Sequence, residues 1–233
     1  MEIEWMKLIA INGSPRKKWN TATLLEEAVK GAAALGADTR LIHLYDLDFK
    51  GCMSCFACKR KGGKNLGRCA IKDDLTPVLA EIASADAVIL GSPIYFGTAS
   101  GEMRSFMERL LFPYLSYSQP PRSLFPRKIN AGLIYTMNVT EAQMKMLGQE
   151  KALVFDQMAM GMIFGASESL FSFDTCQFKD YSKMEGDFDP EAKARTREEF
   201  FPLDCAKAFD MGARFARKEF TAPAGEAKGV MHH

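Results

Sequence analysis

The chain has 233 residues, of which 47% are hydrophobic, which is enough for one large domain with a substantial core. Its 30 lysines and arginines nearly balance 29 aspartates and glutamates, and the net charge of +1 gives no basic or acidic field that would point to nucleic acid or a membrane. No apolar run approaches the ~18 residues of a membrane span, and residues 1–7 are acidic where a secretory signal would be basic. We therefore expect a cytoplasmic protein whose partners are small molecules or further copies of itself.

Apolar runs alternate with amphipathic stretches along the chain, which predicts five parallel strands that are each followed by a helix. The predicted strands are 7–11, 39–44, 87–90, 131–136 and 169–173, and the predicted helices are 20–35, 74–84, 101–112, 141–158 and 190–218. Such a sheet is covered by helices on both faces, as a doubly wound α/β sandwich of three layers. We expect one domain over residues 1–221, with a cysteine-rich loop at 51–72, and a flexible tail at 222–233 whose two histidines are poor evidence for a metal site.

The segment 9–23, IAINGSPRKKWNTAT, has the pattern of a buried strand, a turn and the start of a helix. Free N–H groups in the first turn of such a helix carry a partial positive charge, and hydroxyls and a guanidinium stand beside them. These features predict a site for a phosphate monoester, while the missing second and third glycines argue against the pyrophosphate motif. The alternative is an ordinary strand-to-helix turn whose basic residue faces solvent. The polar side chains of the segment are Ser14, Arg16, Asn20, Thr21 and Thr23.

The third predicted strand leads into residues 91–97, GSPIYFG, at the same edge of the sheet. Two glycines and a proline let the backbone approach a flat ligand, and Tyr95 and Phe96 can contact a ring system. We interpret this loop as the site of an isoalloxazine ring. The alternative is a helix-capping turn whose two aromatic side chains fill the core.

Four cysteines are concentrated in the loop after the second strand, in two overlapping C-x-x-C steps followed by a ten-residue gap: Cys52, Cys55, Cys58 and Cys69. This spacing favours thiolates that converge on an iron-sulfur cluster or a zinc ion, and free or redox-active thiols are the third interpretation. Asp73 and Asp74, which follow, are interpreted as a helix cap rather than an acid-base pair. Cys176 and Cys205 stand alone and are interpreted as core or surface thiols.

Residues 13–16 with Asn20-Thr21, residues 91–97, and the cysteine loop running into Asp73-Asp74-Leu75 together resemble the NADPH-dependent FMN reductase and iron-sulfur flavoprotein family. The resemblance covers nearly the whole chain in order. It implies a flavodoxin-like fold with strand order 2-1-3-4-5, a bound FMN, a 4Fe-4S cluster on the cysteine loop, and a homodimer or homotetramer. Trp19 departs from the family, whose members usually carry a small residue there.

The same resemblance implies a set of cofactor-binding residues in three loops. Ser14, Arg16, Asn20, Thr21 and Ala22 would hold the phosphate; Pro93, Ile94, Tyr95, Phe96 and Gly97 would frame the flavin ring; and Thr136, Met137, Asn138 and Val139 would form the third loop.

The expected activity is electron transfer from NAD(P)H through FMN to a small acceptor, such as a quinone, a nitro or azo compound, a metal ion or another flavin. No catalytic side chain is assigned, because hydride transfer demands neither a nucleophile nor a base. Two alternatives stay open. One is a non-enzymatic flavin or iron-sulfur electron carrier between proteins, and the other is a metal or redox sensor that uses the cysteines of an empty flavodoxin-like scaffold.

Overall fold

Five parallel strands form the centre of the protein in a computed structural model, which describes residues 6–218. In chain order the strands are β1 (Lys7–Asn12), β2 (Asp38–His43), β3 (Ala87–Tyr95), β4 (Thr98–Ala99), β5 (Leu115–Ser116), β6 (Arg122–Ser123), β7 (Ile129–Thr136) and β8 (Gly165–Ser172). The helices are α1 (Asn20–Ala33), α2 (Leu75–Ser84), α3 (Gly101–Leu111), α4 (Glu141–Met146), α5 (Glu150–Phe164), α6 (Pro190–Arg195) and α7 (Phe201–Ala216), with a π-helix at Thr196–Phe200.

The parallel strands lie in the order β2-β1-β3-β7-β8. This is the order 2-1-3-4-5 that the family resemblance implies, and the prediction is confirmed. The short strand β4 adds an antiparallel pairing to the end of β3, and β5 and β6 form a separate two-stranded hairpin.

Both faces of the sheet are covered, as the doubly wound sandwich requires. Alternate residues of β1 enter different cores: Leu8 and Ala10 pack in the core that α1 and α7 share, and Ile9 and Ile11 pack in the core under α2, α3 and α5. All four side chains are fully buried, because a parallel strand between two helical layers has no solvent-facing side.

Helices α1 and α7 touch through their backbones. A Cβ atom on Gly31 would lie 2.0 Å from the carbonyl oxygen of Phe209, and one on Gly212 would lie 1.8 Å from the carbonyl oxygen of Ala28. These glycines are therefore required by the close approach of the helices, and α7 holds α1 in place against the sheet.

Four predicted elements differ from the structure. The fifth strand, expected at 169–173, begins four residues earlier, at Gly165. The third strand was expected to end at residue 90 but continues to Tyr95, since residues 91–93 pair with residues 134–136 of β7. The predicted helix 141–158 is two helices, α4 and α5, separated at Gly148, whose φ of +64° is left-handed. The predicted last helix is α6, the π-helix and α7.

The predicted tail at 222–233, with His232 and His233, lies outside the described residues. Between residues 6 and 218, no helix has the length and hydropathy that crossing a membrane would take.

Candidate functional site

The carboxyl ends of β1, β3, β7 and β8 meet at one edge of the sheet, where their loops enclose a cavity of about 140 Å³. Ligands of doubly wound sheets bind at this edge. All predicted cofactor-binding residues line the cavity except Ala22, Phe96, Gly97 and Val139. The lining residues are Ser14, Arg16, Trp19, Asn20, Thr21, Pro93, Ile94, Tyr95, Thr136, Met137, Asn138, Thr175, Cys176, Gln177 and Phe178.

The loop after β1 is held in shape by a chain of hydrogen bonds. The backbone N–H of Ser14 donates to Asn12 Oδ1 (3.0 Å), and Asn12 Nδ2 lies 2.9 Å from His43 Nδ1 on β2. The Ser14 hydroxyl oxygen in turn accepts the N–H of Arg16 (3.1 Å). Ser14 is thereby buried at the cavity wall with its hydroxyl in a fixed place.

The loops after β1 and β3 are fastened directly to each other. The N–H of Gly13 donates to the carbonyl of Gly91 (2.8 Å), and the hydroxyl of Ser100 donates to the carbonyl of Gly13 (2.6 Å). A Cβ on Gly13 would lie 2.8 Å from Met103 Cβ, so a side chain there would push the loop after β1 away from α3. The phosphate and ring loops of the prediction therefore form one rigid wall.

The first turn of α1 opens onto the cavity without a side-chain cap. Trp19 occupies the N-cap position, its side chain makes no capping hydrogen bond, and no acidic residue lies in the first turn. The first N–H groups of the helix have no partner within it, so this end of the helix is electropositive. Thr21 belongs to this first turn, and its hydroxyl oxygen lies 2.8 Å from the hydroxyl oxygen of Thr136. This contact joins the start of α1 to the third loop.

Ala22 is fully buried, so of the predicted phosphate residues it offers only its backbone to a ligand. Val139 packs against the core, and its carbonyl accepts the N–H of Asp174 (3.0 Å). Neither side chain faces the cavity.

A fourth loop, residues 175–178 after β8, completes the cavity and was not predicted. Its Thr175 N–H donates to the carbonyl of Met137 (2.9 Å), so the third and fourth loops are joined. The signal that would have found it is its place directly after a parallel strand, at the edge where ligands bind. Cys176, interpreted from the sequence as a core or surface thiol, is part of this loop.

The carbonyls of the fourth loop accept hydrogen bonds from Trp19 and from two of the predicted phosphate residues, Arg16 and Asn20. Asn20 Nδ2 and Trp19 Nε1 both donate to the Cys176 carbonyl, at 2.7 and 2.9 Å, and Arg16 donates to the Gln177 carbonyl. The Arg16 guanidinium also lies 5.6 Å from the centre of the Trp19 ring. Three side-chain donors are thereby collected at one place in the cavity lining, where they bond to backbone carbonyl oxygens.

Phe96 and Gly97 form a two-residue turn between β3 and β4, with φ of +49° and +80°. This turn leaves the Phe96 side chain fully exposed, and Tyr95 is 46% exposed beside the cavity. The alternative in which both aromatic side chains fill the core is therefore wrong. Contact of these residues with a flavin ring stays a prediction.

Lys193 of α6 fastens the third and fourth loops from outside the cavity. Its buried ammonium donates to Asn138 Oδ1 (2.8 Å) and forms an ion pair with Asp174. One turn further on, in the π-helix, Arg197 donates to Asn20 Oδ1 (2.9 Å). No sequence motif indicated these contacts, because the partners are 55 and 177 residues apart.

Replacing Lys193 with methionine removes its hydrogen bond to Asn138 and its ion pair with Asp174. It is expected to loosen both loops and to raise the FMN dissociation constant about 2- to 10-fold, because these contacts act on the cavity only through the loops that they hold. Amide exchange should accelerate in residues 137–139 and 174–178. Lys207→Met, which removes an exposed ion pair with Asp204, is the matched control and should change neither quantity. If amide exchange in residues 137–139 and 174–178 is as slow in the Lys193 variant as in the wild type, Lys193 does not hold these loops in place.

A partly buried polar network lies on the face of β7 that packs against α3 and α5. Asp156 of α5 accepts the hydroxyl of Tyr135 (3.2 Å) and pairs with Arg104 of α3 (2.6 Å). Burial raises the pKa of Tyr135, so this phenol stays protonated and serves as a donor. The network ties α3, α5 and β7 together and reaches no residue that lines the cavity.

The four clustered cysteines lie in a loop that has only a short 3-10 turn at Ala57–Lys59. Cys58 is buried, Cys55 is exposed, and Cys52 and Cys69 are half-buried. Burial raises the pKa of Cys58. Over residues 6–218, no three His, Cys, Asp or Glu side chains are grouped closely enough to hold a metal ion.

The end of the cysteine loop is locked to α3 by Arg109. The guanidinium is fully buried, donates through both Nη atoms to Asp73 (2.8 and 3.0 Å), and donates through Nε to the sulfur of Cys69 (2.9 Å). Asp73 Oδ1 also accepts the N–H of Leu75 (3.2 Å), which agrees with the predicted helix cap. Asp74 makes no capping bond and instead accepts the N–H of Asp48 (2.9 Å).

The hydrogen bonds from Arg109 lower the pKa of Asp73 below its ordinary value of 3.8. The stability that this pair supplies is therefore complete above pH 3.8 and is lost as the pH falls through the lower pKa of the folded state. Asp73→Asn is expected to reduce the free energy of unfolding by about 1.5 kcal/mol at pH 7, the worth of a hydrogen bond to a charged group.

Urea denaturation of the wild type and of Asp73→Asn, from pH 7 to pH 2.5, checks this expectation. The difference between them should shrink below pH 3.8. If the difference in free energy of unfolding is the same at every pH, the charge of the Asp73 carboxylate does not contribute to stability.

Comparison with known proteins agrees with this geometry. The family model of NADPH-dependent FMN reductases matches residues 6–164. An iron-sulfur flavoprotein of Methanocaldococcus jannaschii is 40% identical over 104 residues, which are 45% of this chain and 51% of that one. An iron-sulfur flavoprotein of Archaeoglobus fulgidus is 36% identical over 128 residues, 55% of this chain and 60% of that one. The chain thus spans about half the length of the curated relatives that it matches.

Among solved structures, an NAD(P)H:quinone oxidoreductase from Methanothermobacter marburgensis superposes with a TM-score of 0.67 over 90% of this chain and 98% of that one. The two sequences are 14% identical, so this likeness concerns the fold. The family model covers more than half of the chain. The match ends with the last residue of α5 and includes four of the five parallel strands. The protein therefore belongs to the NADPH-dependent FMN reductase family.

Proposed function

We propose that the protein is an FMN-dependent oxidoreductase that takes electrons from NAD(P)H and delivers them to a small acceptor. The observation that carries this proposal is the uncapped, electropositive start of α1 beside the Ser14 hydroxyl and the Arg16 guanidinium, next to the wall that residues 93–95 provide. Family membership supports FMN as the ligand.

The phosphate of FMN fits the end of the cavity that Arg16 lines. There Arg16 and Asn20 now donate to the carbonyls of Gln177 and Cys176, and phosphate oxygens are stronger acceptors for the same N–H groups. Ser14 and Thr21 add hydroxyl donors at the buried wall. No carboxylate is among the residues that line the cavity, so its lining carries no full negative charge.

The flavin ring would lie beyond the enclosed space, which at about 140 Å³ suits the phosphate and ribityl end rather than the whole cofactor. Pro93, Ile94 and Tyr95 continue the wall outward, and the exposed Phe96 is placed at its rim. Residues 136–138 line the cavity beside this wall, since Thr136 pairs with Pro93 across the neighbouring strands. These residues bind the ring, orient it and exclude water from one of its faces.

When bound, FMN supplies the redox chemistry by accepting hydride from NAD(P)H and passing electrons on. The chain needs no catalytic acid or base for this reaction, and its own contribution is binding and orientation. The acceptor, a quinone, nitro or azo compound, metal ion or free flavin, would approach the open side of the ring near Tyr95 and Phe96.

We also propose that Cys52, Cys55, Cys58 and Cys69 hold a 4Fe-4S cluster. Four thiols are the donor set that such clusters use, and the charges of Lys59 and Arg109 offset the negative charge of thiolates in this loop. The names of the relatives support the same group. Because the four cysteines are not grouped as a metal site here, the loop would have to close on the cluster as it binds.

Anaerobic purification followed by a visible spectrum, metal analysis and a steady-state assay tests the proposal. We expect stoichiometric FMN and FMN-dependent oxidation of NADH or NADPH with a quinone or nitro acceptor. Bound FMN without oxidation of either nucleotide would favour the electron carrier, and a colourless protein that binds zinc would favour the sensor.

We further propose that the protein is cytoplasmic and assembles as a homodimer or homotetramer. Its apolar outer face on α4 and α5 supports self-association, since Met146, Phe155 and Met158 are 78%, 66% and 63% exposed there. Leu147 and Met162 belong to this exposed face, whereas Met160 is fully buried in the core. Light scattering should give a mass of two or four chains, and a monomer at micromolar concentration would contradict this part.

A further inference from the structure

A second cavity, of about 300 Å³, lies between α2, the C-terminal end of α3 and residues 67–71 of the cysteine loop. None of its lining residues lines the cavity at the sheet edge. Small residues leave this space open, since Ala80 and Ala83 line it from α2 and Gly67 lines it from the loop. Its volume is at the lower end of the range for small-molecule sites, so there is room for a ligand outside the proposed flavin site.

The walls of this second cavity are mainly apolar. Leu79 of α2, Leu110 of α3, Ile71 and Pro113 supply carbon surface. Moving an apolar group from water onto such walls is favourable, because both surfaces lose their contact with water. The walls therefore fit a ligand with an apolar body.

Two polar side chains of the lining have no partner among residues 6–218. The guanidinium of the exposed Arg68 forms no ion pair or hydrogen bond there, and the Tyr114 hydroxyl makes no hydrogen bond. The Tyr114 ring packs edge-on against Phe125, with the ring centres 4.9 Å apart, which holds the hydroxyl in place. Burial raises the pKa of Tyr114, and the charge of Arg68 offsets this effect only in part. The phenol therefore stays protonated and can donate, as can the guanidinium.

The surrounding charges favour an anion at these two donors. Among the described residues, no Asp or Glu lines the second cavity, and the charge of Arg109 in its wall is already paired with Asp73. The segment 49–72 holds seven lysines and arginines and no acidic residue. Because the whole chain has a net charge of +1, the +7 of this segment leaves −6 on the remainder. Positive potential is thus concentrated around the second cavity.

We propose that the second cavity binds a small apolar monocarboxylate, with its hydrocarbon body against Leu79 and Leu110 and its carboxylate on Arg68 and Tyr114. A guanidinium and a phenol can donate to the two oxygens of one carboxylate. A phosphate dianion fits less well, because the lining offers one unpaired guanidinium and otherwise mainly apolar surface. This site does not depend on the proposed flavin function.

The test uses the FMN-saturated protein, so that the cavity at the sheet edge is occupied, and hydrocinnamate as the probe. Methyl NMR should show shifts at Ile71, Leu79 and Leu110, with a dissociation constant of about 1 mM or below. Hydrocinnamyl alcohol has the same apolar body without the charge. It should bind on the order of 10-fold more weakly, because it forms no charge-assisted hydrogen bond.

Variants separate the charged and the apolar parts of the site. Arg68→Gln is expected to weaken hydrocinnamate about 10-fold and to leave the alcohol within about 2-fold. Ala83→Leu fills the second cavity and should abolish binding of both compounds, and Ala80→Leu takes its place if that variant fails to fold. Arg60→Gln is the matched control and should behave as the wild type, because Arg60 is an exposed cation of the same loop that does not line the cavity.

Absence of methyl shifts at millimolar hydrocinnamate would overturn the proposal. Binding that neither Arg68→Gln nor the leucine variants change would also overturn it, since the ligand would then lie elsewhere. Equal weakening in Arg60→Gln and Arg68→Gln would contradict a specific contact with Arg68. A protein that takes up no FMN would contradict the proposed function alone, and the titration is then made on the protein as purified.

Discussion

Arg16→Ala is expected to raise the dissociation constant for FMN on the order of 100-fold, because charge-assisted hydrogen bonds to phosphate are worth about 1.5–3 kcal/mol. In the structure the guanidinium already reaches the cavity and donates to the Gln177 carbonyl. Its removal would leave the helix N-terminus and two hydroxyls as the remaining phosphate donors. Fluorescence titration of the apoprotein with FMN measures the change.

Riboflavin, which lacks the phosphate, provides the internal comparison. Its affinity should fall little in Arg16→Ala, so that the ratio of the FMN and riboflavin affinities collapses. Lys17→Ala is the matched control, because Lys17 pairs with Asp46 at the surface and does not line the cavity. An equal loss for both ligands would mean that Arg16 stabilises the loop rather than binds phosphate.

Gly212→Ala is expected to lower the free energy of unfolding by about 3 kcal/mol or more, at the upper end of the cost of overpacking. The added methyl group would lie 1.8 Å from the carbonyl oxygen of Ala28, and this obstacle is backbone rather than a mobile side chain. Helices α1 and α7 would have to separate. Because the proposed phosphate site lies at the other end of α1, FMN affinity should fall as well. Urea denaturation and FMN titration measure the two effects.

Gly101→Ala is the control for this prediction. Gly101 is also in a helix, and a Cβ there meets nothing within 4 Å, so alanine should be neutral or slightly stabilising. Gly31→Ala should resemble Gly212→Ala, since its methyl group would lie 2.0 Å from the Phe209 carbonyl oxygen. A loss below 1 kcal/mol in both α1–α7 variants would show that the two helices repack easily.

The architecture was predictable because buried parallel strands leave a plain signal in the sequence. The apolar runs 7–11 and 131–136 lie between two helical layers, and both were found within two residues of their predicted places. The order of the strands came from the family resemblance, since periodicity says nothing about neighbours. The continuation of β3 through Pro93 escaped prediction because a glycine and a proline ordinarily end a strand.

The sequence indicated those parts of the candidate site whose side chains form a recognisable pattern. It did not indicate the parts that take part through backbone carbonyl groups. Ser14 and Arg16 carry a recognisable pattern. The fourth loop accepts the hydrogen bonds of Asn20 and Trp19 at the backbone carbonyl of Cys176. Every residue has such a carbonyl, so the sequence of the loop shows no motif. Contacts between distant residues, such as Arg109 with Cys69, depend on how α3 packs on the loop and are invisible before the fold is known.

A crystal structure of the protein with FMN tests the central claim most directly. We predict density for the phosphate at the first turn of α1, within hydrogen-bond distance of Ser14, Arg16 and Thr21, with the ring against residues 93–97. A cavity that stays empty in saturating FMN, or a flavin bound elsewhere on the chain, would contradict the account.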